Sequence, residues 1–161
     1  MPHEHYTHGH HESVLRSHIW RTALNSAAHL LPELRAGMSI LDVGAGPGTI
    51  TVDLAEIVAP GRVVGVDASE RVVEQARAHA AERGVTNVEF QVADAYALPY
   101  ADGEFDVVHA HQVLHHLARP VQALAEWRRV AGPGGLVSAR ECDYAGVVLH
   151  PFTLGLESWA R

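Results

Sequence analysis

Residues 39–56 read SILDVGAGPGTITVDLAE. An apolar run ends in a carboxylate at Asp42, glycines follow at 44, 46 and 48, and a helical pattern opens at Thr49. A strand that turns sharply into a helix is how α/β proteins hold many ligands, so the reading depends on which ligand this loop accepts. A phosphate loop of the G-x-x-x-x-G-K-[ST] kind needs a lysine, and all twelve basic residues of this chain are arginines. The dinucleotide fingerprint G-x-G-x-x-G requires its third glycine where this chain has Thr49. What remains is a tight turn in which backbone comes close to a ligand. Asp42, just inside the strand end, would oppose a pyrophosphate but suits a ligand carrying an ammonium. The alternative for Asp42 is a buried carboxylate hydrogen-bonded to loop amides.

Working outward, SVLRSHIWRTALNSAAHLLPEL (13–34) repeats apolar residues at three-to-four spacing, which predicts one or two amphipathic helices. RAGMSILDVGAG contains a buried strand, and TITVDLAEIVA a helix stopped by Pro60 and Gly61. RVVGVDAS is a second strand. SERVVEQARAHAAERG is a helix between Ser69 as N-cap and Gly84 at its end. NVEFQVADA, FDVVHAH and GLVSARECD give three more strands, the last two separated by the helix RPVQALAEWRRVAGPGG. Strands alternating with helices predict a parallel sheet covered on both faces. Ligands of such sheets sit beyond the carboxyl ends of the strands, which selects Gly44 to Gly48, Asp67, Asp94 and His109 to His111.

Asp67 ends the second strand, where a carboxylate can take both hydroxyls of a ribose; a dehydrogenase would also have an acid there. Asp94 ends the third strand and could accept from an adenine amino group, with the Ala95 N–H facing the ring. Acids at three successive strand ends are poorly explained as solvated loop charge.

The chain has 161 residues, one domain's worth, and a 47% apolar fraction ordinary for a globular protein. Its net charge of −7 disfavours a non-specific polyanion binder, because neutralising phosphates requires clustered cations. Cys142 is the sole cysteine, so no internal disulfide forms and a reducing compartment is expected. The polar start MPHEHYTHGHHES lacks the apolar segment of a signal peptide, and no apolar run is long enough for a membrane span. A soluble cytoplasmic protein is the expectation. His3, His5, His8, His10 and His11 crowd that start, but their spacing follows no tetrahedral ligand pattern and no metal site is assigned.

The segments ILDVGAGPGTITVDLA, VVGVDASERVVEQAR, VEFQVADAYALPYADGEFDVVHAHQVLHHL and RRVAGPGGLVSARE, in this order over about residues 38–143, resemble the successive motifs of class I S-adenosylmethionine-dependent methyltransferases. The likeness is to the small-molecule branch that includes the ubiquinone/menaquinone biosynthesis C-methyltransferases. The resemblance implies a Rossmann-like doubly wound α/β sheet with five parallel strands present and the family's terminal strands missing. It also implies S-adenosylmethionine as cofactor. On this chain it would place Gly44, Ala45, Gly46, Gly48 and Thr49 along the methionine and ribose part, with Asp42 near the amino group. Asp67 would hold the ribose hydroxyls, Ala68 would lie beside the adenine, Asp94 and Ala95 would read its edge, and His111 would line the sulfonium end. SVLRSHIWR resembles the helix that covers the cofactor in that branch, which adds Tyr6 and Arg21 as further candidates.

The implied domain plan is a tail and cap helices over 1–36, a cofactor-binding core over 37–145, and the start of a truncated substrate region over 146–161. An uncovered fifth strand would favour self-association. Methyl transfer needs alignment and water exclusion more than a dedicated base, so no catalytic residue is assigned. His109 and His111 alternate along strand four and are expected on opposite faces, with His111 the better candidate. His115 and His116 are expected to pack or cap. HAHQ stands where amino-methyltransferases often carry an Asn-Pro-Pro-Tyr-like turn, and with the acidic charge this points to a small-molecule acceptor rather than nucleic acid. The rivals are a non-catalytic cofactor-binding module completed by a partner chain, and an NAD-dependent oxidoreductase resting only on Asp67 and the general α/β pattern.

Overall fold

The computed structural model describes residues 20–143. Tyr6, the five N-terminal histidines and the proposed substrate region at 146–161 lie outside them. The strands are β1 (Ile40–Val43), β2 (Val63–Asp67), β3 (Val88–Val92), β4 (Val107–His111) and β5 (Leu136–Arg140). The helices are α1 (Ala23–Ser26), α2 (Thr49–Val58), α3 (Glu70–Arg83) and α4 (Pro120–Ala131), with single 3-10 turns at Leu31–Glu33 and Leu114–His116. All strand pairs are parallel, in the order β3-β2-β1-β4-β5. The expected doubly wound α/β sheet is therefore present.

Every residue of β1 is buried, as a central strand with helices on both faces requires. One face of the sheet packs Leu41, Val43, Val64, Val66, Val108 and Ala110 against Trp127 and Val130 of α4. The other packs Ile40, Val63 and Val107 against Leu54, Ala55 and Val58 of α2 and against Ala23 and Leu30. Pro120 at the first turn of α4 needs no hydrogen-bond acceptor, and Trp127, fully buried, donates from Nε1 to the Ala95 carbonyl at 3.1 Å. Gly84 ends α3 with φ 67°, a left-handed cap that spares the chain a Cβ penalty. Ser69 stands at the N-cap of α3 as expected, but its side chain makes no capping bond.

Residues 20–34 depart from expectation. The one or two amphipathic helices expected over 13–34 begin outside the described residues, and within them there is only the four-residue α1, capped by a reciprocal pair between Thr22 and Asn25, and then a 3-10 turn. Pro32 stands in the first positions of that 3-10 turn, where its missing N–H costs no helical hydrogen bond. Of the segment's apolar residues Ala23, Ala27 and Leu30 reach the core at 0–2% exposure, whereas Trp20 and Leu24, expected on the buried stripe, are 83% and 76% exposed.

Because β2 and β3 lie to one side of β1 while β4 and β5 lie to the other, the chain reverses direction between β1 and β4. Their carboxyl ends flank a crevice, the usual ligand position in a sheet of this type. Among the described residues no helix is long and apolar enough to cross a membrane, and no group of three His, Cys, Asp or Glu is placed to hold a metal ion.

Candidate functional site

The loop leaving β1 turns through three left-handed glycines: Gly44 at φ 72°, Gly46 at 56° and Gly48 at 82°. A Cβ on Gly44 would come within 2.4 Å of Val113 Cγ2, and one on Gly48 within 2.8 Å of Phe90 Cζ. The turn is thus pressed between the segment after β4 and the α3–β3 layer. Its donors are spent on the protein. Gly44 and Ala45 N–H donate to the Val66 carbonyl at 2.8 and 2.9 Å, Gly46 N–H to Asp67 Oδ2 at 3.1 Å, and Gly48 N–H to the Ala45 carbonyl at 3.1 Å. Pro47 has no N–H to give. A phosphate cradle needs those amides pointing at the ligand, so this turn is not built for one.

Asp67, at the tip of β2, accepts from Gly46 N–H through one oxygen and from Ser69 N–H through the other at 3.0 Å. Its carboxylate is therefore fixed at the rim of the loop, half-buried, with Ala68 exposed beside it. The Asp67 carbonyl accepts from Ala93 N–H at 3.1 Å, which draws the segment after β3 alongside. There Asp94 is exposed and closes a tight turn, its Oδ1 taking the Tyr96 N–H at 2.9 Å, and Ala95 is held by Trp127. The structure thus brings the glycine loop, Asp67, Ala68, Asp94 and Ala95 into one rim across the tips of β1, β2 and β3. Thr49 opens α2 next to it.

Asp42 is buried, as one of the two expectations had it, but its partners are side chains rather than loop amides. Its side chain is turned under the loop: Oδ1 meets His109 Nδ1 at 2.8 Å and Oδ2 accepts from Thr51 Oγ1 at 2.6 Å. At 3% exposure its carboxylate lies below the loop surface, and the loop amides go to β2 and, from Gly48, to the Ala45 carbonyl. The cause is register. Asp42 lies opposite His109 in the parallel pairing of β1 with β4, so the two side chains share a face and meet.

The expected split of His109 and His111 onto opposite faces is also corrected. Residues two apart on a strand point the same way, and both histidines lie on the face covered by α1 and α2. His111, 8% exposed, has a sealed Nδ1 with no hydrogen-bond partner. Burial and the nearby Arg21 and Arg140 guanidiniums push its pKa down to about 4, so its imidazole is neutral at pH 7. The next residue, Gln112, is the single non-glycine among the described residues with positive φ, at 57°. It accepts from Arg21 and donates to Cys142 Sγ at 3.0 Å. Arg21, a candidate from the resemblance, therefore does reach the tip of β4.

His115 and His116 lie on the 3-10 turn after β4, and that turn is tied down by Glu141. The Glu141 carboxylate accepts from Val113 N–H at 2.9 Å and Leu114 N–H at 2.8 Å, and pairs with His115 Nδ1. Sequence reading passed over Thr51, Gln112 and Glu141. His109 carried a usable signal, since a histidine inside a fully buried strand has to find a polar partner.

Residues 34–159 match the model of a methyltransferase domain family. The chain is 36% identical, over 97% of its length and 60% of the relative's, to an uncharacterized methyltransferase of Schizosaccharomyces pombe. It is 41% identical, over 71% of its length and 46% of the relative's, to a demethylmenaquinone methyltransferase of Lactococcus lactis. The chain thus spans about half the length of these curated relatives. Among solved structures, an S-adenosylmethionine-dependent methyltransferase from Aquifex aeolicus superposes with a TM-score of 0.75 at 25% identity, covering 91% of this chain and 86% of that one. With the β3-β2-β1-β4-β5 sheet and the glycine turn at its switch point, these matches identify the chain as a member of the class I S-adenosylmethionine-dependent methyltransferases.

Proposed function

We propose that this chain carries the cofactor core of an enzyme that moves a methyl group from S-adenosylmethionine to a small-molecule acceptor. The observation that carries this reading is the glycine turn whose amides are spent within the protein, on β2 and on the turn itself, while the Asp67 carboxylate stands at its rim. Such a rim suits a ligand with ribose hydroxyls and no phosphate. In this reading Gly44, Ala45, Gly46, Gly48 and Thr49 line the methionine and ribose part of the cofactor. Asp67 takes the ribose hydroxyls, Ala68 leaves room for the adenine ring, and Asp94 and Ala95 meet its edge. His111 stands at the sulfonium end, where a neutral imidazole adds no opposing charge. When bound, the cofactor supplies an already activated methyl carbon. The chain's work is to align the acceptor with it and to exclude water.

Residues 37–145 form the core in this proposal, with residues 1–36 as its cover and 146–161 leading toward the acceptor. A small acceptor fits better than nucleic acid, because Arg62, Arg83 and Arg129 are each paired with carboxylates rather than arrayed as a basic surface. A reducing, cytoplasmic setting suits a chain whose one cysteine, Cys142, is free.

Titration calorimetry is the test. Saturable heat with S-adenosylhomocysteine and none with NADH is the expected result. Binding of NADH without S-adenosylhomocysteine would overturn the assignment. Turnover of labelled S-adenosylmethionine with an acceptor then separates an enzyme from a non-catalytic binding module.

A further inference from the structure

The Asp94–Ala97 turn that follows β3 is held from the side of α4. Trp127, fully buried on that helix, donates from Nε1 to the Ala95 carbonyl at 3.1 Å. The N–H of the same peptide group belongs to Tyr96, and it donates to Asp94 Oδ1 at 2.9 Å. One rigid peptide plane therefore joins the indole to the carboxylate, its C=O and N–H pointing in opposite directions. Arg119, at the N-cap of α4, adds a second hold. Its N–H donates to Tyr96 Oη at 3.1 Å, and its guanidinium carbon lies 4.8 Å from the centre of the Tyr96 ring. The preceding peptide is fixed as well. The Asp94 carbonyl accepts from Ala97 N–H at 3.0 Å, so the Ala95 N–H, trans to that carbonyl, points away from the turn. Among the described residues, neither the Ala95 N–H nor Asp94 Oδ2 has a partner. An acceptor oxygen and an N–H donor are thus left over on adjacent residues at the rim.

A buried indole N–H needs an acceptor, and any carbonyl within reach would satisfy it. What sets this bond apart is that the peptide it grips also orients Asp94. We propose that Trp127 presets the Asp94–Ala95 edge for adenine, as a positioning residue that touches no ligand, with Tyr96 seated on Arg119 as its support. The inference rests on the cofactor reading of Asp94 and Ala95 given above and adds the residue that makes their edge selective. Adenine presents an amino donor beside a ring-nitrogen acceptor, which complements the acceptor and donor left over here. Hypoxanthine presents a carbonyl oxygen beside a ring N–H, so each protein group would meet its like. Rejection of that kind is strong only where the polar groups of the site stay in place and are left unpaired by the wrong ligand. Were the 95–96 peptide to rotate, Asp94 would lose the Tyr96 N–H and its carboxylate would be released to follow either base. The indole bond, made inside the packed core, prevents that rotation.

The test is titration calorimetry of the full chain with S-adenosylhomocysteine and with its hypoxanthine analogue, S-inosylhomocysteine. The wild type is expected to prefer the adenine form by at least about tenfold. Trp127→Phe keeps an aromatic ring in the core and removes the donor, and the preference is expected to shrink by about 2- to 10-fold. A role in core packing alone would lower thermal stability and weaken both ligands alike, leaving their ratio where it was. Tyr96→Phe, which leaves Trp127 and its packing in place, is expected to lower the ratio in the same direction. A folded variant of either kind that keeps the wild-type ratio overturns the proposal, so Tyr96→Phe decides it if Trp127→Phe does not fold. A wild type that binds both ligands equally well overturns it too, since no preset edge would then exist. Failure of the wild type to bind S-adenosylhomocysteine at all is a distinguishable result, which overturns the cofactor reading and this proposal with it.

Discussion

Asp42 on β1 and His109 on β4 meet at 2.8 Å across 67 residues of chain, with neither side chain more than 4% exposed. The contact joins the strand that leads into the glycine turn to β4, so the most polar residue of that strand braces the two central strands. Thr51 completes the brace from α2 and thereby links the helix that follows the turn to the strand that precedes it.

Thr51→Val keeps shape but removes the hydroxyl that donates to Asp42, leaving a buried carboxylate one partner short. Stability should fall by about 1–3 kcal/mol. Urea unfolding at pH 7 measures it, and a loss below about 0.5 kcal/mol would mean that another donor takes over.

Asp67→Ala removes the carboxylate that both pins Gly46 and stands where ribose hydroxyls are proposed. S-adenosylhomocysteine binding should weaken by about 1.5–3 kcal/mol, roughly 10- to 150-fold. Calorimetry reads this directly, and unchanged affinity in a folded variant would show that the ribose lies elsewhere.

Gly44→Ala combines a left-handed φ of 72° with a Cβ placed 2.4 Å from Val113 Cγ2. It should destabilise the chain, and Val113→Ala in the same molecule should recover the steric part but not the backbone part. A double-mutant cycle gives that coupling, and strictly additive effects would contradict the contact. Gly46→Val forces a β-branched residue to φ 56° and should impair cofactor binding at least as much as Asp67→Ala.

Folding lowers the pKa of His111 from 6.5 to about 4, with burial as the main cause and Arg21 and Arg140 adding to it. Between those values the unfolded chain holds a proton that the native state refuses, so this group's contribution is fully present above about pH 6.5 and is lost as pH falls toward 4. From pH 7 to pH 5 the loss should be about 2 kcal/mol. Urea unfolding of the wild type and of His111→Gln at both pH values isolates it: the variant should show the shallower dependence, and equal slopes would reject the assignment.

His115→Ala removes one arm of a partly exposed pair with Glu141 and should cost less than about 1 kcal/mol, leaving cofactor binding nearly unchanged. Glu141→Ala should cost more, because Val113 and Leu114 N–H both lose their acceptor. Thermal melts of the two variants compare them, and the reverse order would show that the histidine, not the carboxylate, holds the turn.

The order of strands and helices from Ile40 to Arg140 was legible in the chain itself, because each is marked by local chemistry. Apolar runs ending at Asp42, Asp67 and His111 mark strands, and Pro120, Gly84 and Gly132 punctuate helices. The rim residues were legible for the same reason: a parallel sheet carries its ligand at strand ends, and strand ends can be counted. What surrounds those residues was not legible. That Asp42 turns inward follows from the register that sets it opposite His109, and a register joins residues 67 apart with no local mark. That the loop amides are already spent depends on Val66 and Asp67 arriving beside them from β2. The hold of Glu141 on Val113 and Leu114 likewise depends on what the fold packs alongside. The sequence by itself determined the elements and the strand-end residues that the fold gathers into one rim, through periodicity, punctuation and motif order. Only the tertiary structure decided which polar groups satisfy one another, because a buried donor or acceptor takes whichever partner close packing brings within hydrogen-bond reach.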